Sequence, residues 1–179
     1  MNDQIFSLQP FPSTESPPNL KIAGNIARNG NKLAIRYLLE GDLKEIAIVP
    51  PSKTPSRKHE LWEDTCFEFF LSIKDSAQYW EFNLSPAGHW NVYRLDGYRQ
   101  GMQEETAFEK LPFNVQNQTD VLTLALDIDL DKIISVEQLI EVAITTVIKD
   151  REGEVTYWAL THKGAEADFH LRDSFIVKL

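Results

Sequence analysis

Apolar and polar residues alternate with a period of two along much of this chain, the spacing that sends successive side chains to opposite faces of a sheet. The pattern predicts strands over 20–27 and 33–39, separated by Asn29-Gly30-Asn31, a hairpin signal. A short apolar run over 46–49 ends at Pro50-Pro51, and the polar, basic stretch 52–60 reads as a mobile loop. Strands follow over 66–73, 79–85 and 90–95, the last two joined by Pro86-Ala87-Gly88-His89. The stretch 104–110 fits a helical turn or a loop. Strands over 113–117 and 121–128 pair across Gln118-Thr119-Asp120, and 131–139 fits a short helix with Ser135 and Gln138 spaced as in a capping box. A β-branched run over 142–148 predicts a buried strand, which Arg151-Glu152-Gly153-Glu154 turns into a strand over 155–160; a last strand covers 175–179. Pro10, Pro12, Pro17 and Pro18 make the start irregular. The expected organisation is an extended N-terminal segment over 1–19 and one domain over 20–179. Its fold class is all-β, an antiparallel sandwich of jelly-roll type with one short helix.

The same alternation sorts the side chains of two strands. Cys66, Glu68 and Phe70 share one face of the first, opposite Phe67, Phe69 and Leu71. Glu81, Asn83 and Ser85 share one face of the second, opposite Trp80, Phe82 and Leu84. If the strands pair, the apolar faces form the core, and Glu68, Glu81 and Asn83 meet on the outer or concave face. A carboxylate in a strand needs a reason, because burying its charge is costly. Two acids on one face fit a glycosidase acid and base, hydrogen-bonding groups for a sugar, or a solvated surface. Their separation decides between these, and the pattern does not supply it.

Composition narrows the classes. The chain has 179 residues, 42% of them hydrophobic, enough for one domain with a substantial core. Its net charge of -9 argues against nucleic acid, whose affinity rests on cations neutralising phosphates, and against an anionic membrane surface. Cys66 is the single cysteine, so no internal disulfide forms. The first residues show no basic and apolar signal pattern, and no window approaches the roughly 20 apolar residues of a membrane span. The expectation is a soluble cytoplasmic protein, of unspecified oligomeric state.

Among the tryptophans, Trp80 lies on the apolar side of its strand and reads as core, whereas Trp62 sits among charged residues at a strand entrance and reads as surface. An exposed indole offers a flat apolar face to the C–H face of a pyranose. His162, Asp168, His170 and Asp173 lie close in sequence and fit either a metal site or loop hydrogen bonds. No zinc motif, phosphate loop or nucleophile elbow occurs. Met102 with a histidine suits non-covalent haem, and the absence of C-x-x-C-H excludes covalent attachment. Calcium would need oxygen ligands from loops, without a dense acidic loop to supply them. Cys66 reads as a small core residue.

The block Leu61-Trp62-Glu63-Asp64-Thr65-Cys66-Phe67-Glu68-Phe69-Phe70-Leu71 resembles the strand entrance of family-nine carbohydrate-binding modules, which belong to the wider DOMON-like superfamily of β sandwiches. Residues 81–88, the strand over 121–128, Tyr157-Trp158 and Arg172-Asp173-Ser174-Phe175 are similar to later parts of that family. The resemblance implies non-catalytic binding of a saccharide or sugar-containing small molecule. Trp62 and Trp158 would clamp the ring, with Glu68 bonding its hydroxyls and Asn83 standing where a sugar-binding member can carry Arg. Thr145 and Val147 fall on the family's polar penultimate-strand positions. Glu81, Arg94, Tyr98 and Arg99 would add contacts. Other superfamily members bind haem, which makes a redox carrier one alternative; a protein-interaction module and a glycoside-acting enzyme are the others.

Overall fold

The computed structural model describes residues 3–179. The described residues form twelve antiparallel strands: β1 (Gln4–Pro10), β2 (Leu20–Asn29), β3 (Lys32–Gly41), β4 (Cys66–Ile73), β5 (Tyr79–Leu84), β6 (Trp90–Leu95), β7 (Gln103–Glu104), β8 (Phe113–Asn117), β9 (Val121–Asp129), β10 (Ile140–Lys149), β11 (Val155–Ala159) and β12 (Val177–Lys178). Their order is β7-β6-β5-β4-β10-β11-β1-β2-β3-β9-β8, with β12 paired to β10. The path curls back on itself, so one half, β4 to β7 with β10 and β11, packs over the other, β2, β3, β8 and β9. β1 joins the halves. Gln4 to Leu8 pair with β2, and Gln9 and Pro10 pair with β11.

The main core lies between the halves. Phe67, Phe69 and Leu71 of β4 and Trp80, Phe82 and Leu84 of β5 face Ile22, Ile26, Ile35 and Leu39 across it. Phe69 and Phe82 stack with ring centroids 4.3 Å apart. Tyr37 of β3 crosses the core and donates its hydroxyl proton to the Glu68 carbonyl at 2.7 Å. That bond satisfies a phenol which is fully buried. The predicted alternation of β4 and β5 is therefore observed, and the fold is an all-β antiparallel sandwich.

Three local expectations change. The stretch 131–139 contains turns and no helix, and among the described residues the only helical pieces are 3₁₀ turns at Leu43–Glu45, Leu61–Glu63 and Arg172–Ser174. Half of the capping-box bond still forms, from the Ser135 N–H to Gln138 Oε1 at 2.8 Å. Those residues have found each other in a turn, since Ile134 is drawn into the core while Val136 and Leu139 face solvent. Gln4–Pro10, placed by the sequence pattern in an extended segment, is a strand of the sheet because Phe6 and Leu8 alternate into the core. The stretch 52–60 is pinned by Arg57, which donates to Asn91 Oδ1 at 2.7 Å and to the Glu105 carbonyl at 3.0 Å, and lies 4.3 Å over the Trp90 ring.

Candidate functional site

β4, β5 and β10 are buried on both faces, and this builds the site. The face of β4 and β5 turned away from the main core carries a second apolar cluster of Phe70, Tyr79, Tyr93, Leu95, Ala143 and Phe175, with Trp62 and Phe169 packed against it. The loop after β6 and the C-terminal coil after β11 supply its roof. Beneath them lies a pocket of about 440 Å³. Its floor carries Glu68, Phe70 and Glu81; Trp62, Val147 and Tyr157 border it, and Arg99, Met102, Phe169 and His170 reach it from the covering segments.

Strand register sets the polar groups out in a row. Asn91 of β6, Asn83 of β5, Glu68 of β4 and Thr145 of β10 are successive cross-strand partners on this face. In the neighbouring row Tyr93, Glu81, Phe70 and Ala143 are partners. Glu68 is 2% exposed and Glu81 4%. This face is thus covered, and of the three readings of the two acids the solvated surface falls away. Glu68 Oε1, Glu81 Oε2, Thr145 Oγ1 and both amide atoms of Asn83 are buried and bond to no protein atom. Native interiors rarely leave such atoms unmatched, each costing on the order of 1–3 kcal/mol.

Burial governs the titration of these groups. It pushes the Glu68 carboxyl well above its usual range, and the neighbouring Glu81 charge pushes it further. Burial also raises Glu81 to about 7, against the opposing pull of the Asn83 amide and, less, of the Arg99 charge. It lowers His170 to about 4, with the Arg99 charge acting in the same direction, so the imidazole is neutral at pH 7. The backbone N–H of Arg99 donates to the Tyr79 hydroxyl at 3.2 Å, and that hydroxyl shares a further hydrogen bond with His170 Nδ1 at 2.8 Å. His170 Nε2 lies 3.8 Å from Glu81 Oε2. Arg99 holds φ +52°, unusual for a bulky residue, and is tied down by its bond to Asp168 at 2.8 Å.

Of the residues predicted for the site, Trp62, Glu68, Glu81 and Arg99 line the pocket, and Asn83 sits directly opposite Glu68. The other three do not line it. Trp158 is 3% exposed and belongs to the main core, its indole N–H bonded to Thr156 Oγ1 at 2.9 Å. Trp158 pairs with Thr146, whose face is opposite that of Thr145, and the face nearest the pocket goes instead to its neighbour Tyr157, 42% exposed. A clamp of Trp62 with Trp158 is therefore excluded. Arg94 pairs with Trp80 and leaves β6 on the opposite face from Glu81. Tyr98 is exposed and acts on the site indirectly, donating its hydroxyl proton to Asp168 Oδ2.

The His162 to Asp173 cluster does not converge. His162 Nε2 donates to the Gln9 carbonyl at 2.9 Å and His170 faces Tyr79; among the described residues no group of three metal-ligating side chains comes together. Tyr157 and Phe169 are pocket residues that sequence reasoning missed, and His170, read there as part of a metal or loop cluster, is a third. Alternation within β11 carried a signal for Tyr157, since adjacent residues of a strand take opposite faces. Phe169 and His170 lie in an aperiodic coil that offers no such signal.

No protein-family model matches the chain, and no curated protein matches it in sequence. Solved structures do match in fold. A putative carbohydrate-binding protein from Bacteroides uniformis superposes with a TM-score of 0.73 at 13% identity, over 97% of this chain and 84% of that one. A family-nine carbohydrate-binding module from Caldicellulosiruptor kristjanssonii in complex with glucose superposes at 0.54 with 12% identity, over 91% of this chain and 77% of that one. The module in complex with cellotriose gives 0.55 at 11% identity, over 92% and 75%. The fold is that of a family-nine carbohydrate-binding module. In this example of the fold, the outer face of β4 and β5 is where unmatched polar groups meet exposed aromatic edges.

Proposed function

We propose that the chain is a non-catalytic saccharide-binding domain whose site is the pocket over Glu68 and Glu81. The observation that carries this reading is a set of buried polar atoms that no protein group satisfies, those of Glu68 and Glu81 in the lining of a cavity with aromatic walls and those of Asn83 and Thr145 on the strands flanking Glu68. A sugar ring presents both things such a surface asks for, hydroxyls for the polar row and C–H faces for the rings. The cavity of about 440 Å³ falls within the usual range of small-ligand sites, about 300–1,000 Å³. The saccharides held by the two family-nine structures support the same ligand class.

In this reading Trp62 and Tyr157 take the apolar faces of the sugar. Trp62 enters beside Tyr93 of β6, 5.8 Å between ring centroids, and Tyr157 stands beside Phe169 at the same separation. Glu68 and Asn83 take the hydroxyls. Calorimetry and thermal-shift measurements against a panel of mono- and oligosaccharides test it. Trp62→Ala and Tyr157→Ala should each weaken binding of a hit by roughly tenfold, as expected for losing one aromatic contact of about 1–1.5 kcal/mol, with an unchanged folded circular-dichroism spectrum. A panel without a single hit would overturn the reading.

A further inference from the structure

The two carboxylates at the pocket floor face no cation that is free to pair with them. Glu68 and Glu81 are diagonal neighbours on adjacent strands, because Glu68 pairs with Asn83 and Glu81 with Phe70. Diagonal Cα atoms lie roughly 7–8 Å apart, close enough for one small group to touch both side chains. The titratable and charged groups around them come from every surrounding element. They are Cys66 on β4, Tyr79 on β5, Tyr93 on β6, Tyr157 on β11, Arg99 in the loop after β6, and Asp168 and His170 in the C-terminal coil. The Arg99 charge is matched by Asp168 at 2.8 Å. His170 uses Nδ1 on Tyr79, and its Nε2 stops 3.8 Å short of Glu81. Glu68 Oε1 and Glu81 Oε2 remain unmatched by the protein.

We propose that the pocket takes an amine-bearing sugar, with the ammonium group bridging Glu68 and Glu81. The inference rests on the saccharide reading of the same pocket and narrows its ligand to the aminosugar class. An ammonium group brings three N–H donors and a positive charge to two acceptor oxygens that have neither. A hydroxyl brings one donor and no charge. An anionic sugar would find no free counter-charge on a floor of two acids, since Arg99 is already paired with Asp168. The neighbouring rings favour the same choice, since a cation near the faces of Trp62, Tyr93 or Tyr157 gains from their quadrupoles. Burial favours a proton on Glu68 and leaves Glu81 partly protonated at neutral pH, and an arriving ammonium would displace those protons.

The probes are D-glucosamine, N-acetyl-D-glucosamine and D-glucose, titrated calorimetrically into the intact chain at pH 7 in two buffers of different ionisation enthalpy. Glucosamine should bind about tenfold or more tighter than glucose, the scale expected of a partly buried ion pair. It should release protons, seen as a buffer-dependent heat, whereas N-acetylglucosamine and glucose should release none. Glu81→Gln and Glu68→Gln should each bring glucosamine and glucose to within a few-fold of one another. The proton release needs only the native chain, so it stands even if a variant misfolds. Equal binding of glucosamine and glucose without proton release would overturn the amine assignment and leave the saccharide site standing. Binding of none of the three sugars, nor of any in the wider panel, would overturn both.

Discussion

Replacing Glu81 with Gln should stabilise the protein at alkaline pH and leave it nearly unchanged in acid. The Glu81 carboxyl titrates near 7 in the fold, against 4.5 for an ordinary glutamate, because it is buried beneath the pocket. A folded-state pKa raised in this way means that the native protein holds a proton the unfolded chain has given up. The stability tied to that proton is complete below about 4.5 and is lost as pH rises through about 7. One pH unit between the two pKa values is worth about 1.4 kcal/mol. The separation from 4.5 to about 7 therefore makes Glu81 cost the fold about 3 kcal/mol at pH 8. Gln keeps the shape and never ionises, so it escapes that cost. Removing the Glu81 charge also relieves Glu68 beside it, which adds to the gain in the same direction. Urea unfolding at half-unit steps from pH 4.5 to 8.5 would read the effect, followed by the fluorescence of the buried Trp80, Trp90 and Trp158. The stability difference between variant and wild type should grow by about 3 kcal/mol across that range and then level off, with an unchanged urea slope. A difference that stays within about 0.5 kcal/mol throughout would refute the reasoning.

Three further predictions test the surroundings. His170→Gln should act with the opposite sign: burial lowers this histidine to about 4, so its contribution is present above 6.5 and lost as pH falls, and the variant should gain on wild type by about 3 kcal/mol between pH 7 and pH 4 in the same unfolding assay. Tyr37→Phe leaves the Glu68 carbonyl without its cross-core donor and should lower stability by about 1–2 kcal/mol at pH 7, measured by urea midpoint. Arg57→Lys keeps the charge but loses the planar fork that holds Asn91 and the Glu105 carbonyl at once; it should cost about 2 kcal/mol and increase amide exchange across 52–60.

Much of the sheet was legible because β strands write their faces into the sequence. The alternation at Cys66-Phe67-Glu68-Phe69 placed Glu68 with Asn83 and Glu81, and the register bears that out. What the alternation could not carry is what covers a face. The burial of Glu68 and Glu81 comes from the loop holding Arg99 and the coil holding Phe169 and His170, segments whose packing depends on single contacts such as Arg99 to Asp168 rather than on any period. Trp158 was misplaced for a different reason. Resemblance aligned an aromatic pair, whereas strand geometry gives the core to Trp158 and the pocket to Tyr157. The Gln4–Pro10 strand was hidden by the prolines that follow it, although Phe6 and Leu8 already alternate with Ser7 and Gln9. The Ser135 and Gln138 pair shows the converse case, in which a correct local bond forms without the helix it usually announces.

The position of β1 between the two halves bears on how the chain reaches this shape. Its pairing with β2 joins residues about twenty apart, as Phe6 with Gly24, while its pairing with β11 joins Gln9 to Ala159. During synthesis the first contact can form early, but the seam that closes the curl waits until β11, about 150 residues later, has left the ribosome. Until then the β11-facing side of β1 is an open strand edge, the kind of surface that recruits other chains. That edge is short, two residue pairs long, and it ends at Pro10, which has no N–H to offer an incoming strand.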